Sequence, residues 1–342
     1  MRKRIFGFLQ YFFFLGAGLF LVWWQLKSMT LSEKEQFFDA LSHANYWIVI
    51  PIAIMSMLSH ISRSMRWKLL MQPLGYTPKI SNLFLVTMVG YLANSAVPRL
   101  GEVIKCTLLA KYEKLKVDKL IGTIIVERSF DIICYILFIG ITILIQINVI
   151  AKYLQKEFSL IGIYTPNNLF KLMAFLFSFI AIWIFIKQLF KKYKSNKIIN
   201  KISNFINGII EGFHTIKKLK EKKLFLLHTL FIWSMYLGQI YLGFKGLEGT
   251  KSLGLSPAFS VLTLTTLSMI ITPGGIGSFP IFVMQSLLIY GINENIGSAF
   301  GWLMWGVSTG LLVIVGFISL LLIPYFNKSL VANHESTPEI IE

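Results

Sequence analysis

Long apolar runs separated by short polar and basic stretches set the pattern of this chain. Six of them, at 5–26, 46–61, 120–147, 170–187, 224–244 and 299–323, read as transmembrane helices, since about 20 apolar residues cross the ~30 Å hydrocarbon core. The first is too long for a signal-peptide apolar region and has no small-residue cleavage site after it, so it is expected to stay as a span. Two further runs are interrupted. Residues 83–97 lead into PRLGE and resume over 103–112, and residues 257–271 lead into PGGIGSFP and resume over 281–291. Each half is too short to cross alone. The expected fold is therefore an all-α polytopic membrane protein, with about six full transmembrane helices and two broken or re-entrant helical hairpins.

Lysine and arginine supply the orientation. If each interrupted pair enters and leaves on one side, 24 of the 33 basic residues fall on one face of the membrane and 7 on the other. Only Arg99 and Arg128 are left inside apolar territory. The positive-inside bias makes the richer face cytoplasmic, with both termini there, in a cytoplasmic (inner) membrane. The first hairpin then dips in from the cytoplasm and the second from outside. Pro98 and Pro273 lie 175 residues apart, and paired interrupted segments entering from opposite faces point to an inverted-repeat transporter. One integral membrane domain is expected over 1–326, with pseudo-repeat halves near 46–147 and 224–323 and a disordered polar tail over 327–342. Residues 197–220 space Ile198, Ile202, Phe205, Ile209 and Phe213 at helical intervals between lysines, which predicts an amphipathic helix on the cytoplasmic leaflet.

Composition agrees with this pattern and excludes other classes. The chain of 342 residues is 55% hydrophobic and 14% charged, with mean hydropathy +0.66; soluble domains carry roughly 25% charged residues. The net charge of +17 flanks the apolar runs instead of forming a nucleic-acid surface. No glycine-rich nucleotide loop is present, and the five histidines show no ligand spacing, so neither cofactor nor metal is expected.

Three charged clusters lie where charge is costly. Glu127, Arg128 and Asp131 fall inside a long span, at spacings that can share one helix face. They fit either an ion-pair latch or a polar substrate path. Arg63 and Arg66 are expected just past the cytoplasmic end of the second span, with Trp67 at the interface; a guanidinium fork suits a lipid phosphate as well as simple anchoring. Third, the break after Asn94 carries Pro98, Arg99, Gly101 and Glu102. Freed backbone there requires a buried or wet setting, and Glu102 suits the start of a new helix. The second break, with Pro273, Gly274, Gly275 and Gly277, is uncharged and reads as a gate or packing joint.

In order along the chain, RSMRW, GYLANSAVPRLGE, VERSFD and TPGGIGSFP resemble the transmembrane region of lysylphosphatidylglycerol synthases and their stand-alone, flippase-like relatives. The resemblance covers nearly the whole chain. It implies a membrane region that moves aminoacylated phospholipid between leaflets, while a separate soluble domain attaches the amino acid. About twenty residues follow the last span, too few for that domain, so no enzyme is expected. The expected activity is translocation or binding of a phosphate-containing lipid, anionic or lipid-linked. Arg99, Arg128, Arg63 and Arg66 would meet phosphate, with Asn94 beside them; Glu102, Glu127 and Asp131 would balance charge or meet a cationic headgroup. The hinges would be Pro98, Gly101, Pro273, Gly274, Gly275 and Gly277. A homo-oligomer, or a non-transporting subunit bound to a cell-envelope enzyme or glycosyltransferase, are the other readings.

Overall fold

The computed structural model describes residues 27–97, 99–147 and 219–327, together with Gly16, Phe20, Trp23 and Trp24. The predicted span at 170–187, most of that at 5–26, the amphipathic stretch up to Lys218 and the tail beyond Asn327 lie outside the described residues. Among the described residues the secondary structure is entirely helical. Two compact units divide the chain, one formed by residues 1–124 and 218–342, the other by 125–217.

Nine helices are described: α1 (Leu31–Ser42), α2 (Val49–Met71), α3 (Ile80–Ala96), α4 (Leu100–Glu113), α5 (Val117–Ile145), α6 (Lys222–Gly243), α7 (Leu255–Ile271), α8 (Ser278–Leu288) and α9 (Glu294–Phe326). Four of them, α2, α5, α6 and α9, are long and apolar enough to span a membrane. They correspond to the predicted runs at 46–61, 120–147, 224–244 and 299–323. The broken pairs are α3–α4 and α7–α8, each packed together as a hairpin. Helix α1 was not anticipated. A capping box starts it: the Glu33 amide donates to the Thr30 hydroxyl at 3.3 Å, and the Glu33 carboxylate accepts from the Thr30 amide at 2.6 Å.

The 175-residue spacing of the two prolines holds far beyond them. Adding 175 to the bounds of α3 gives those of α7, and adding it to the last residue of α4 gives the last of α8. The breaks match residue by residue. Val97 and Thr272 are both extended, at φ −137° and −118°, as a residue before proline prefers. Their amides donate back to Ala93 at 2.8 Å and Ser268 at 3.0 Å, also 175 apart. Arg99 (φ 66°) and Gly274 (φ 59°) then turn the chain in the left-handed region.

Helix α9, 33 residues and about 50 Å long, shows how the hairpins are arranged. The second hairpin packs on its beginning, where a Cβ on Gly297 would come within 3.2 Å of the Met284 Cα and one on Gly301 within 2.7 Å of the Pro280 Cα. Small residues four apart let helices approach this closely in membranes. The first hairpin packs on its far half. A Cβ on Gly316 would lie 2.7 Å from that of Leu92, and the Asn327 and Asn82 side-chain amides exchange hydrogen bonds of 2.8 and 3.0 Å. The two hairpins therefore point toward each other from opposite ends of α9. Beneath the first, Trp67, Met71, Leu83, Val86, Cys106, Leu109, Leu120 and Ile323 form a tight apolar core.

Candidate functional site

The hairpin tips meet beside the middle of α9. A Cβ on Gly274 would lie 4.0 Å from the Ser95 Cα, and the Trp305 indole donates to the Gly274 carbonyl at 2.9 Å. In the second tip, Thr272 and Ser278 share a 2.6 Å hydroxyl contact, and Ser278 donates to the Ser268 carbonyl at 3.3 Å. Pro273, Gly275 and Gly277 are buried. Backbone freed by the break is thus answered inside the protein, as burial in an apolar medium demands.

The first tip is built differently. The Asn94 side-chain carbonyl accepts from the Gly101 amide at 2.8 Å, closing the break and capping α4. Gly101 lies against Gly90 so closely that a Cβ there would overlap the Gly90 carbonyl. Between them Arg99 is exposed and left-handed. Among the described residues its guanidinium makes no hydrogen bond or ion pair. Glu102 is half-buried in the first turn of α4. The structure therefore brings Asn94, Arg99, Gly101, Glu102 and Gly274 to one place. Pro98 lies outside the described residues.

Arg63 and Arg66 are elsewhere, and their expected interfacial setting is corrected. The run ending at Ile61 continues as helix to Met71, since no glycine or proline interrupts it. Both arginines thus fall within α2 and are buried, at 9% and 0% exposure. They face α6: Arg63 donates to the Tyr236 hydroxyl and Arg66 to the Thr229 hydroxyl, each at 3.2 Å, while Arg66 also stacks 5.5 Å from the Phe225 ring. Trp67 is a core residue, not an interfacial anchor. It is 1% exposed, donates to Thr123 at 2.9 Å, and carries the buried Lys105 ammonium 4.4 Å from its ring. The same α2–α6 seam holds Ser62 and His228, 2.9 Å apart.

In the other unit, Arg128 and Asp131 approach at 3.9 Å along α5 and Glu127 is fully buried. The expected shared face is formed at least by that pair.

The description "Lysylphosphatidylglycerol synthase TM region" matches residues 8–316, both broken hairpins included. The chain belongs to this family. It is also 26% identical over 322 residues to the UPF0104 membrane protein MJ1595 of Methanocaldococcus jannaschii, covering 87% of this chain and 91% of that protein. No solved structure matches.

For this lysylphosphatidylglycerol synthase transmembrane-region member, the break residues were legible in sequence and the seam was not. His60, Arg63 and Arg66 recur at three-residue intervals with Ser56 and Ser59 on the same side, a stripe visible only if the helix is extended past Ile61. Tyr236 and Trp305 gave no signal, because aromatics in apolar runs are ordinary.

Proposed function

We propose that this protein is a lipid translocator, and that the meeting point of the two hairpin tips receives the phosphate of an anionic or lipid-linked substrate. Arg99 carries the reading. At the position where the second repeat has Gly274, the first has an arginine in a backbone region that costs a side-chain-bearing residue roughly 1–2 kcal/mol. That strain is tolerated where the side chain has a task. Exposed and unpaired among the described residues, the guanidinium suits a phosphate, and Glu102 one turn away would balance it or meet a cationic headgroup. Opposed broken hairpins beside a long helix support alternating access around this point.

The protein would lie in a cytoplasmic membrane with both termini in the cytoplasm, moving lipid without covalent chemistry. Lys111, at the base of the first hairpin, then faces the cytoplasm and Lys251, near the base of the second, faces outward. Single cysteines at these positions should react with an impermeant maleimide from opposite sides. The activity is tested in proteoliposomes with labelled phosphatidylglycerol, lysylphosphatidylglycerol and isoprenyl phosphate. Faster leaflet exchange than in empty liposomes, lost in Arg99→Ala, is expected; exchange at the empty-liposome rate for all three lipids would end the reading.

A further inference from the structure

His60 is the middle residue of α2, eleven from either end of a helix long enough to span the membrane. Its Nε2 lies 3.4 Å from the Ser56 hydroxyl, and its ring packs 5.2 Å from that of Tyr91 on the first hairpin. Its Nδ1 is shielded and has no hydrogen-bond partner among the described residues. The Thr87 hydroxyl, one turn from Tyr91 on the same face of α3, is likewise shielded and without such a partner. Buried polar groups are normally satisfied, so an unanswered imidazole nitrogen at mid-helix, packed on the tyrosine one turn from the unanswered Thr87 hydroxyl, marks a place where something polar is taken up. With its proton on Nε2, toward Ser56, neutral His60 presents an open basic lone pair at Nδ1.

We infer that His60 is the proton-binding residue of the translocator, taking up one proton at Nδ1 together with the anionic headgroup and releasing it on the other side. This rests on the translocation reading above. The titratable ring packed on His60 is Tyr91 of α3, and the nearest charge along α2 is Arg63, one turn on; from α6, Tyr236 meets Arg63 and His228 meets Ser62, while α9, which also touches α2, carries no charged residue after Glu294 within its span. The fixed guanidinium of Arg63 opposes a second positive charge nearby. An arriving phosphate cancels that opposition, so headgroup and proton favour each other's binding, and by linkage the favour is mutual. Tyr91 transmits the change, because it sits on the helix whose end is the Arg99 tip, six residues and about 9 Å before Val97.

Two measurements test this. The first does not depend on transport. Protein labelled with 15N-histidine is titrated in nanodiscs of phosphatidylglycerol and of phosphatidylcholine, with signals assigned by single His→Gln variants at the five positions. His60 should take its proton at higher pH in phosphatidylglycerol, by a larger shift than exposed His43, which reports the surface potential alone. Equal shifts at both histidines overturn the inference. The second uses proteoliposomes holding a pH difference, with the membrane potential clamped at zero. One proton per lipid should accumulate labelled phosphatidylglycerol in the leaflet facing the alkaline side, about tenfold per pH unit. His60→Gln should abolish the accumulation. Exchange that proceeds without accumulation in the unmodified protein overturns proton coupling while leaving translocation standing; absence of any exchange strikes the translocation reading itself.

Discussion

The two broken hairpins have nearly the same backbone and opposite chemistry at their tips. Both end a seventeen-residue helix on an extended residue before proline, and both turn through a left-handed residue. In the second, glycine occupies that position and its neighbours are glycines, threonine and serine. In the first, arginine occupies it, with asparagine and glutamate alongside. Shared backbone geometry fixes where the tips meet. Under the proposed function, the different side chains leave one tip to hold the joint and the other to meet a ligand.

The largest effect expected from breaking this comparison is at Gly101. A Cβ would overlap the Gly90 carbonyl, which is backbone and cannot swing aside, so Gly101→Ala should cost roughly 3 kcal/mol, the upper end of overpacking penalties. Gly274→Ala meets only the Ser95 Cα at 4.0 Å. There the cost is that of a left-handed alanine, about 1 kcal/mol. Thermal unfolding of the two variants in the same detergent should separate them by a few degrees; equal losses would mean that the tips are not built differently.

Next comes Arg99. Arg99→Gly turns the first tip into a copy of the second and should raise stability by about 1 kcal/mol, while lipid exchange falls to the level of Arg99→Ala. Arg99→Lys should keep the strain and part of the exchange. A glycine variant that still translocates would place substrate recognition elsewhere. A smaller effect is expected at Trp305, whose indole reaches only the second tip. Trp305→Phe removes the bond to Gly274 and should cost roughly 1 kcal/mol, with hydrogen exchange rising at 274–278 and unchanged at 99–103.

The smallest effect lies outside both hairpins and serves as their control. The Thr30 amide and hydroxyl hold the Glu33 carboxyl below its usual range. Because the folded value is the lower one, the cap contributes fully above the ordinary carboxylate pKa and is lost as pH falls through the folded value. Amide exchange in α1, corrected for its intrinsic pH dependence, should speed up on acidification, and Glu33→Gln should remove that extra dependence without touching the tips.

The sequence was most readable where the backbone is forced. Proline and glycine announce breaks, and the positions of the breaks announced hairpins. What it concealed came from helix length and from partners across space. Nothing in the residues after Ile61 resembles a membrane span by hydropathy, yet they continue as helix because Arg63 and Arg66 find hydroxyls on α6 and Trp67 finds the core. The capping box TLSE before α1 was readable and is simply masked by the stronger apolar signals on either side. Internal symmetry was nearly silent as sequence, since under the 175-residue shift Gly101 falls on Ile276 and Glu102 on Gly277. It is plain in the backbone because helix bounds and turn angles tolerate many side chains.

The length of α9 has a consequence for water. A helix of about 50 Å exceeds the ~30 Å hydrocarbon layer and the 40–45 Å that includes headgroups. Its ends, where Asn327 meets Asn82 and where Asn295 meets Gln36, therefore reach the hydrated headgroup layers on both faces. Asn82, Asn327 and Asn295 are buried there, so the polar fastenings at the helix ends are shielded by the protein itself where hydrocarbon gives way to headgroups. A bilayer thick enough to draw these ends into hydrocarbon should slow the protein down.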